Sequence, residues 1–436
     1  PTPPSSGHRL VASRSVVFLG TRHCTHLQSY GKARGVRIAP RRSGLSAGRE
    51  NDPMAGRIIL FGATGYTGRL TAESLARRAA PNVVLAGRNE KMLGSLADEL
   101  DEAHDWECDT ATADIGDIGS VQDLVHSPRD VLISTVGPYV RFGKPAIEAA
   151  TATGAVYIDS TGEPPFVRRV FDRYGPRAKR TGASLLTAFG YDYVPGNLAG
   201  LLALRKAEAA GFVRSRVDIG YFLRLTDPSA ATLSAGTLAS SMAVIAEPSF
   251  AFANSEIIDE RPARHVRQFD VDGTPHDALS VGGTEHYTLP RIDPRLTDVR
   301  VYIGWAGGRT RQLSAAARVI NPVTRLPLVR QATRTVTGTL VTGSGGGPSA
   351  ADRARAKTVV LAEAYLGDAK VASVTVSGPS PYELTADLLA WAAESAMAGG
   401  LGSGRKRRSG ALGPADGFGE EEFIAGCRSL GLAASA

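Results

Sequence analysis

Arg57-Ile-Ile-Leu-Phe-Gly-Ala-Thr-Gly-Tyr-Thr-Gly-Arg69 and, after a helical stretch, Asn82-Val-Val-Leu-Ala-Gly-Arg-Asn89 decide how this 436-residue chain is read. Ile58 to Phe61 is a short β-branched and aromatic run that stops at Gly62, and Leu70 to Arg78 carries the pattern of an amphipathic helix. Gly62, Gly65 and Gly68 therefore fall at a strand-to-helix turn. Gly62 allows a sharp turn, Gly65 lets the bare backbone approach a pyrophosphate, and Gly68 lets the helix lie close to the strand. A diphosphate would rest on the unpaired N–H groups and positive dipole end of that helix, making Gly62, Ala63, Thr64, Gly65, Tyr66, Thr67 and Gly68 candidate cofactor residues. The spacing is Gly-x-x-Gly-x-x-Gly, and no Gly-Lys-Ser/Thr follows, which argues against a nucleoside triphosphatase loop. A ligand-free glycine turn is the competing reading, and the second strand tips the balance. Val83 to Ala86 ends in Gly87-Arg88-Asn89, where a sheet of this type meets the adenosine ribose. An acidic residue there suits the ribose hydroxyls of NAD. Arg88, with Asn89 beside it, offers a fork of donors for a 2'-phosphate, so NADP is the preferred cofactor and NAD the alternative.

Beyond this turn the pattern alternates. Strands are expected at Ile58 to Phe61, Val83 to Ala86, Trp106 to Thr110, Val131 to Thr135 and Val156 to Asp159, with helices at Leu70 to Arg78, Glu90 to Leu100, Ile118 to His126 and Pro145 to Ala152. Such alternation implies a Rossmann-type doubly wound parallel sheet, with functional groups at the carboxyl ends of its strands. Asp109 and Asp114 follow the third strand, where a carboxylate meets either the adenine edge or a helix N-cap. Ser134-Thr135-Val136-Gly137-Pro138-Tyr139 follows the fourth; Gly137 permits close backbone approach and Pro138 stiffens the turn, which suits a loop over the cofactor ribose. Leu185 to Ala188 adds a strand that runs into Phe189-Gly190-Tyr191-Asp192-Tyr193-Val194-Pro195-Gly196, a hinge. Past the hinge, Val217 to Leu223, Arg267 to Val271, Val299 to Trp305, Thr335 to Thr342 and Ala369 to Val376 read as longer strands with polar faces, and Thr237 to Ile245 as a small-residue helix. The fold class is therefore α/β, with a second α+β domain built on a mixed or antiparallel sheet. The expected divisions are a leader at 1–53, disordered or non-native; a dinucleotide-binding domain at 54–190; a substrate and dimerisation domain at 191–380; and a C-terminal helical segment at 381–436 that packs back on the body.

The formal charge of +7 suggests nucleic acid only until it is located. Nine of the 50 basic residues and two of the 43 acidic ones lie in residues 1–53, so the remainder carries 41 of each and is neutral. No nucleic-acid partner is expected. The leader is basic, acid-poor and without period, fitting either a transit segment or sequence upstream of Met54, and is set aside from the fold. Cys24, Cys108 and Cys427 are too scattered for a disulfide framework or a zinc cluster, so no metal is expected. No run of 18 apolar residues occurs, and the expected location is cytoplasmic, with membrane association left open. The cluster Arg405-Lys406-Arg407-Arg408 reads as solvated surface, with phosphate or acidic lipid as the lesser alternative.

Taken together, Gly62 to Gly68, Gly87-Arg88-Asn89, Ser134 to Tyr139, Tyr157 to Glu163 and Gly190 to Gly196 resemble the saccharopine dehydrogenase-like oxidoreductases. The ending, Pro381-Tyr382 with Thr385 and then Pro414-Ala415 with Phe418-Gly419, resembles the mycobacterial trans-acting enoyl reductase branch of that family. The resemblance covers roughly residues 56 to 432 and is strongest at the N-terminal end. It implies a dinucleotide domain with an inserted domain that offers dimer and substrate surfaces, pyrophosphate binding by Gly62 to Gly68, a 2'-phosphate contact by Arg88, and Val136, Gly137 and Pro138 on the nicotinamide side. It further implies a small-molecule or lipid-derived substrate delivered by a partner synthase, and leaves the substrate itself open.

Reduction of a C=C, C=N or C=O bond needs hydride placement, donors where charge develops, and an acid for the second proton. The Tyr-x-x-x-Lys arrangement of short-chain reductases is absent, since Tyr139 and Lys144 are five apart. The catalytic candidates are Tyr139, after the Gly-Pro turn, and Asp192 and Tyr193, at the hinge; Tyr139 packing over the cofactor and Asp192 capping a helix are the structural alternatives. His286 in Gly282-Gly283-Thr284-Glu285-His286 reads as a surface or packing residue. Two functions compete: an NADP-dependent reductase, and a non-catalytic dinucleotide-binding scaffold attached to a lipid-synthesis complex.

Overall fold

The computed structural model describes residues 38–39, 56–225, 248–305, 310–315, 317, 347–403 and 406–435. The helix expected at Thr237 to Ile245, the strand expected at Thr335 to Thr342 and most of the leader lie outside the described residues. The first half runs β1 (Ile38–Ala39), β2 (Ile58–Phe61), α1 (Tyr66–Arg77), β3 (Val83–Gly87), α2 (Glu90–His104), β4 (Asp109–Thr112), α3 (Ile118–Gln122), β5 (Val131–Ser134), α4 (Tyr139–Phe142), α5 (Lys144–Thr153), β6 (Val156–Asp159), α6 (Pro164–Arg169), α7 (Gly175–Thr181), β7 (Ser184–Leu186) and α8 (Val194–Ala209). It continues with β8 (Arg216–Leu225), β9 (Ser249–Ala253), β10 (Glu256–Glu260), β11 (Val266–Val271), β12 (Thr274–Ser280), α9 (Glu285–Ile292), β13 (Asp298–Ile303), α10 (Ala350–Ala354), β14 (Ala356–Leu366), β15 (Ala369–Gly378) and α11 (Pro381–Met397). The chain ends in β16 (Gly402–Ser403), β17 (Lys406–Arg407), β18 (Gly410–Ala411), α12 (Pro414–Phe418), α13 (Glu420–Ser429) and β19 (Ala433–Ser435).

Every residue of β2, β3, β5 and β6 is buried, as apolar runs covered by helices on both faces must be. They pair in parallel, Ile58 opposite both Val83 and Val131, in a first sheet ordered β1-β4-β3-β2-β5-β6-β7-β18. The order of strand addition reverses between β2 and β5, the switch point at which such sheets bind ligands. The third strand starts at Asp109, later than the sequence suggests, because the Trp106 indole N–H is donated to the Ala80 carbonyl (2.9 Å) and holds Trp106 ahead of the strand. Ile38–Ala39, inside the stretch that composition sets aside, pairs antiparallel with β4.

The second sheet is mixed, ordered β10-β9-β13-β8-β14-β15-β19, with β11 and β12 attached to β13. Only β8 and β13 run parallel among its described pairs. Sequence reading misses β9, β10 and β12, the last two of which mix polar and apolar residues with little period, and leaves Lys357 to Tyr365 undecided where β14 forms.

The C-terminal segment enters both sheets. Helix α11 lies on α1, where Ser74 Oγ donates to Asp387 (2.5 Å) and Arg77 pairs with the same carboxylate (3.0 Å). Strand β18 extends the first sheet beside β7, and β19 extends the second beside β15, so the segment is more than helical. Within the basic cluster, the Arg407 guanidinium donates to the carbonyls of Pro128 (2.7 Å), Gly154 and Gly182 (2.9 Å), two of which end α5 and α7. Arg408 donates to the Asp416 carbonyl (2.8 Å). These two arginines close helix ends and a loop; Arg407 is half-buried and Arg408 lies exposed at the surface. Arg407→Ala is expected to cost about 1–3 kcal/mol in chemical denaturation, because three carbonyls, that of buried Gly154 among them, lose a charge-assisted donor; a change below about 0.5 kcal/mol would show that water replaces the guanidinium.

Candidate functional site

The glycine turn occupies the switch point. Gly62 sits at φ +93°, and a Cβ there would stand 2.7 Å from Thr135 Oγ1 and 2.9 Å from Val136 Cγ2. The loop after β5 is thus pressed onto the turn after β2, and Thr135 Oγ1 ties them by donating to the carbonyls of Phe61 (3.2 Å) and Gly62 (3.1 Å). At Gly68 a Cβ would collide with the Gly62 carbonyl oxygen and stand 2.9 Å from Ala63 Cα. Gly65, the N-cap of α1, receives no side-chain cap, and a Cβ there would meet only the Gly62 oxygen at 3.3 Å. This is a cradle: backbone N–H groups at an uncapped helix start, with no side chain of the described residues within 4 Å of a Cβ built on Gly65. Ala63 is buried beneath it, while Thr64, Tyr66 and Thr67 are half-buried around it. Tyr66 is engaged from the far end of the chain, its hydroxyl donating to the Pro348 carbonyl (2.6 Å) and receiving Arg353 Nη1 (3.0 Å). Its ring meets Tyr382 edge-on at 5.2 Å.

Arg88 and Asn89 are exposed at the end of β3. Among the described residues no hydrogen bond or ion pair engages the Arg88 guanidinium. Asn89 is the N-cap of α2 and accepts the Met92 N–H (3.1 Å), so its side-chain oxygen already has a structural duty. Asp114 likewise accepts the Gly116 N–H (2.6 Å) in a local turn, the bland alternative for a carboxylate after this strand.

Val136, Gly137 and Pro138 cross in front of β5, Gly137 exposed and its neighbours half-buried. Glu163 fixes the next residues, accepting the N–H groups of Tyr139 (2.6 Å) and Val140 (2.9 Å) at the start of α4. Burial pushes its carboxyl up against these bonds. Tyr139 turns inward: its hydroxyl donates to the Ser134 carbonyl (3.0 Å), lies 3.1 Å from Ser160 Oγ, and is held well above the ordinary phenol range by burial. A phenol so committed serves packing better than proton transfer. Asp159, fully buried at the end of β6, accepts N–H groups from Thr161 (2.9 Å) and Ala188 (3.0 Å) and the Thr187 hydroxyl (2.8 Å), joining the loops after β6 and β7; burial still pushes it up to about 6.

The hinge meets these loops. Gly162 is glycine where a Cβ would stand 2.8 Å from Asp192 Oδ2. The Tyr193 hydroxyl donates to the Gly162 carbonyl (3.4 Å), and its ring meets that of Tyr221 edge-on at 5.9 Å. Asp192 Oδ1 is buried with no hydrogen-bond partner among the described residues, and loss of water pushes the carboxyl up to about 7. Tyr193 is raised far above its usual range, chiefly by burial and then by Asp192, so it keeps its proton. Two groups here escape sequence reading: Tyr221 of β8 and Glu285, the first residue of α9. His286 is buried, its Nδ1 3.0 Å from the Gly283 nitrogen and oxygen, and burial pulls it down to about 4, a neutral packing residue.

A cavity of about 530 Å³ lies on the second sheet, lined among others by Arg216, Asp218, Arg264, Arg267 and Arg300, and includes neither turn nor hinge residues. Arg216 is paired with Asp218 (3.4 Å), Arg267 with Asp218 and Glu363, and Arg300 with Asp298 (3.6 Å). Among the described residues no group of three or more His, Cys, Asp or Glu is placed to hold a metal ion.

No family model matches the chain. A Mycobacterium tuberculosis protein that carries a provisional name as a trans-acting enoyl reductase is 36% identical over 194 residues, 44% of this chain and 45% of that protein. A trans-acting enoyl reductase of Mycobacterium leprae is 38% identical over 143 residues, 32% of this chain and 34% of that protein. The chain thus spans less than half the length of these relatives. Apo saccharopine dehydrogenase (L-Glu forming) from Saccharomyces cerevisiae shares the fold, with a TM-score of 0.54 at 12% identity over 87% of this chain and 99% of that one. Over less than half of its length the chain is thus similar in sequence to the mycobacterial trans-acting enoyl reductases, and its fold is that of saccharopine dehydrogenase.

Proposed function

We propose that the chain is an NADP-dependent oxidoreductase that reduces a C=C, C=N or C=O bond of a hydrophobic or lipid-derived substrate. The observation that carries this reading is the uncapped glycine cradle at the switch point, with Arg88 exposed at the end of the neighbouring strand. A bound reduced dinucleotide supplies the hydride. The chain's residues supply the rest: Gly62 to Gly68 seat the pyrophosphate, Arg88 takes the 2'-phosphate, and Val136 to Pro138 border the nicotinamide. Tyr139 and Glu163 set the border loop. Asp192, whose Oδ2 faces Gly162 and whose Oδ1 is unpartnered among the described residues, is the group suited to hand a proton to the substrate atom that does not receive hydride.

The names of the relatives fit a substrate presented by another protein, and a homodimer through the second sheet is the assembly its exposed edges allow. No described helix is long and apolar enough to cross a membrane. A non-catalytic scaffold remains the second reading, favoured by the absence of a Tyr-x-x-x-Lys pair. NADPH consumption with a panel of trans-2-enoyl thioesters separates the two, and turnover is expected. Asp192→Asn is expected to slow that turnover by about 100- to 10,000-fold while NADPH still binds. Unchanged turnover in that variant would remove Asp192 from the chemistry, and cofactor binding without turnover on any thioester would favour the scaffold.

A further inference from the structure

Tyr66 is held more firmly than a residue of a glycine turn has to be. It is the first residue of α1, directly after the uncapped Gly65. Its hydroxyl donates to the Pro348 carbonyl (2.6 Å) and accepts from Arg353 Nη1 (3.0 Å), which donates to the same carbonyl (3.1 Å). Arg353 Nε is in turn fixed by Glu383 Oε1 in the first turn of α11 (3.2 Å), and the neighbouring Tyr382 supplies the edge-on ring contact. The backbone fits closely as well. A Cβ on Gly347 would collide with the Tyr66 ring, so the chain there lies directly against it. Ser349 and Asp352 form a capping box that starts α10, the helix that carries Arg353. Residues 347–353 thus make a strap across the side chain of Tyr66.

Docking of the C-terminal segment is the simpler duty for such contacts, and α1 has others for it. Farther along the helix Ser74 and Arg77 meet Asp387, and Arg78 meets Glu394. What sets the strap apart is where it acts. A helix start that keeps its N–H groups free for a ligand gives up the side-chain cap that would otherwise hold its first turn. No cap can be restored at Gly65 without placing a side chain at the cradle. The strap restrains the same turn through the ring and hydroxyl of Tyr66, with no atom added at Gly65. Restraint that exists before binding reduces the ordering that a ligand has to impose.

We propose that Arg353 is a positioning residue of the dinucleotide site: acting through the Tyr66 hydroxyl, it holds the first turn of α1 in the shape that receives the pyrophosphate. This rests on the NADP reading above. The pyrophosphate is common to NADPH and NADH, so the strap serves both alike, whereas Arg88 concerns only the 2'-phosphate.

Calorimetric titration of NADPH and of NADH into the full chain tests the role as a double-mutant cycle, with thermal unfolding run on every variant. Tyr66→Phe, which keeps the ring, and Arg353→Ala are each expected to weaken both cofactors by the same factor, about tenfold. The double variant should lose little more than either one, because both substitutions remove a single contact. Arg78→Ala, which removes a contact of α1 with α11 away from the cradle, is expected to keep both affinities within about twofold of wild type. Wild-type affinity in Arg353→Ala overturns the proposal. Losses that multiply in the double variant, or a loss confined to NADPH, overturn it too, since Arg353 would then meet the ligand itself. An equal loss in Arg78→Ala reduces the strap to helix docking and overturns it as well. A wild type that binds neither cofactor sinks the dinucleotide reading and this role with it, whereas every other outcome leaves that reading standing.

Discussion

Gly68→Ala is expected to cost roughly 100-fold or more in NADPH affinity and to destabilise the fold as well. The added methyl group would meet the Gly62 carbonyl oxygen, with Ala63 Cα and the Gly62 carbonyl carbon both 2.9 Å away. All are backbone atoms of one turn, so no rotamer change relieves the clash. Relief requires α1 to move off β2, and overpacking of this kind costs roughly 1–3 kcal/mol. The same movement pulls the helix start out of line with the pyrophosphate. Charge-assisted hydrogen bonds are worth about 1.5–3 kcal/mol each, and 1.4 kcal/mol is tenfold in affinity, so losing one or two accounts for the stated factor. Gly65→Ala separates the two effects. Its methyl group has only the Gly62 oxygen at 3.3 Å to meet, so the melting temperature should move little while the methyl projects toward the ligand. Calorimetry and thermal unfolding on both variants check this, and a Gly68→Ala protein with native melting temperature and native NADPH affinity would refute the cradle.

How far the sequence reveals these features depends on what kind of property each is. Buried parallel strands announce themselves, since a run such as Ile58 to Phe61 or Val131 to Ser134 must be apolar on both faces. The glycine turn is legible in the same way: the tight packing at Gly62 and Gly68 leaves no room for a side chain. Strands such as Glu256–Glu260 and Thr274–Ser280 are not, because one face meets water and their residues are those of loops. Tyr139 is correctly placed next to the crevice, yet only the fold shows that its hydroxyl turns back to Ser134. Glu285 is the clearest case. Gly-Gly-Thr-Glu-His has the composition of a surface turn, and nothing local marks a carboxylate that long-range packing removes from water. The one available signal was Gly283, which is required to be small by the group that sequence could not place.

Arg88→Asp should reverse the cofactor preference, weakening NADPH by roughly 100-fold or more and leaving NADH within about threefold of its wild-type affinity. Arg88 is exposed at the tip of β3, and among the described residues nothing holds its guanidinium, so the substitution removes no internal bond and the fold should be indifferent to it. The effect is electrostatic at the ligand. Two unit charges about 4 Å apart near a protein surface interact by about 4 kcal/mol, and the change turns an attraction for the 2'-phosphate into a repulsion, moderated by salt. NADH lacks that phosphate and meets a carboxylate able to accept from its ribose hydroxyls instead. Raising the salt concentration should therefore narrow the NADPH difference and leave NADH unaffected. Parallel titrations of both cofactors into both proteins give the answer: equal losses would mean that Arg88 acts through the turn's shape and that another group selects the phosphate, with Arg353, bonded to the Tyr66 hydroxyl, a candidate.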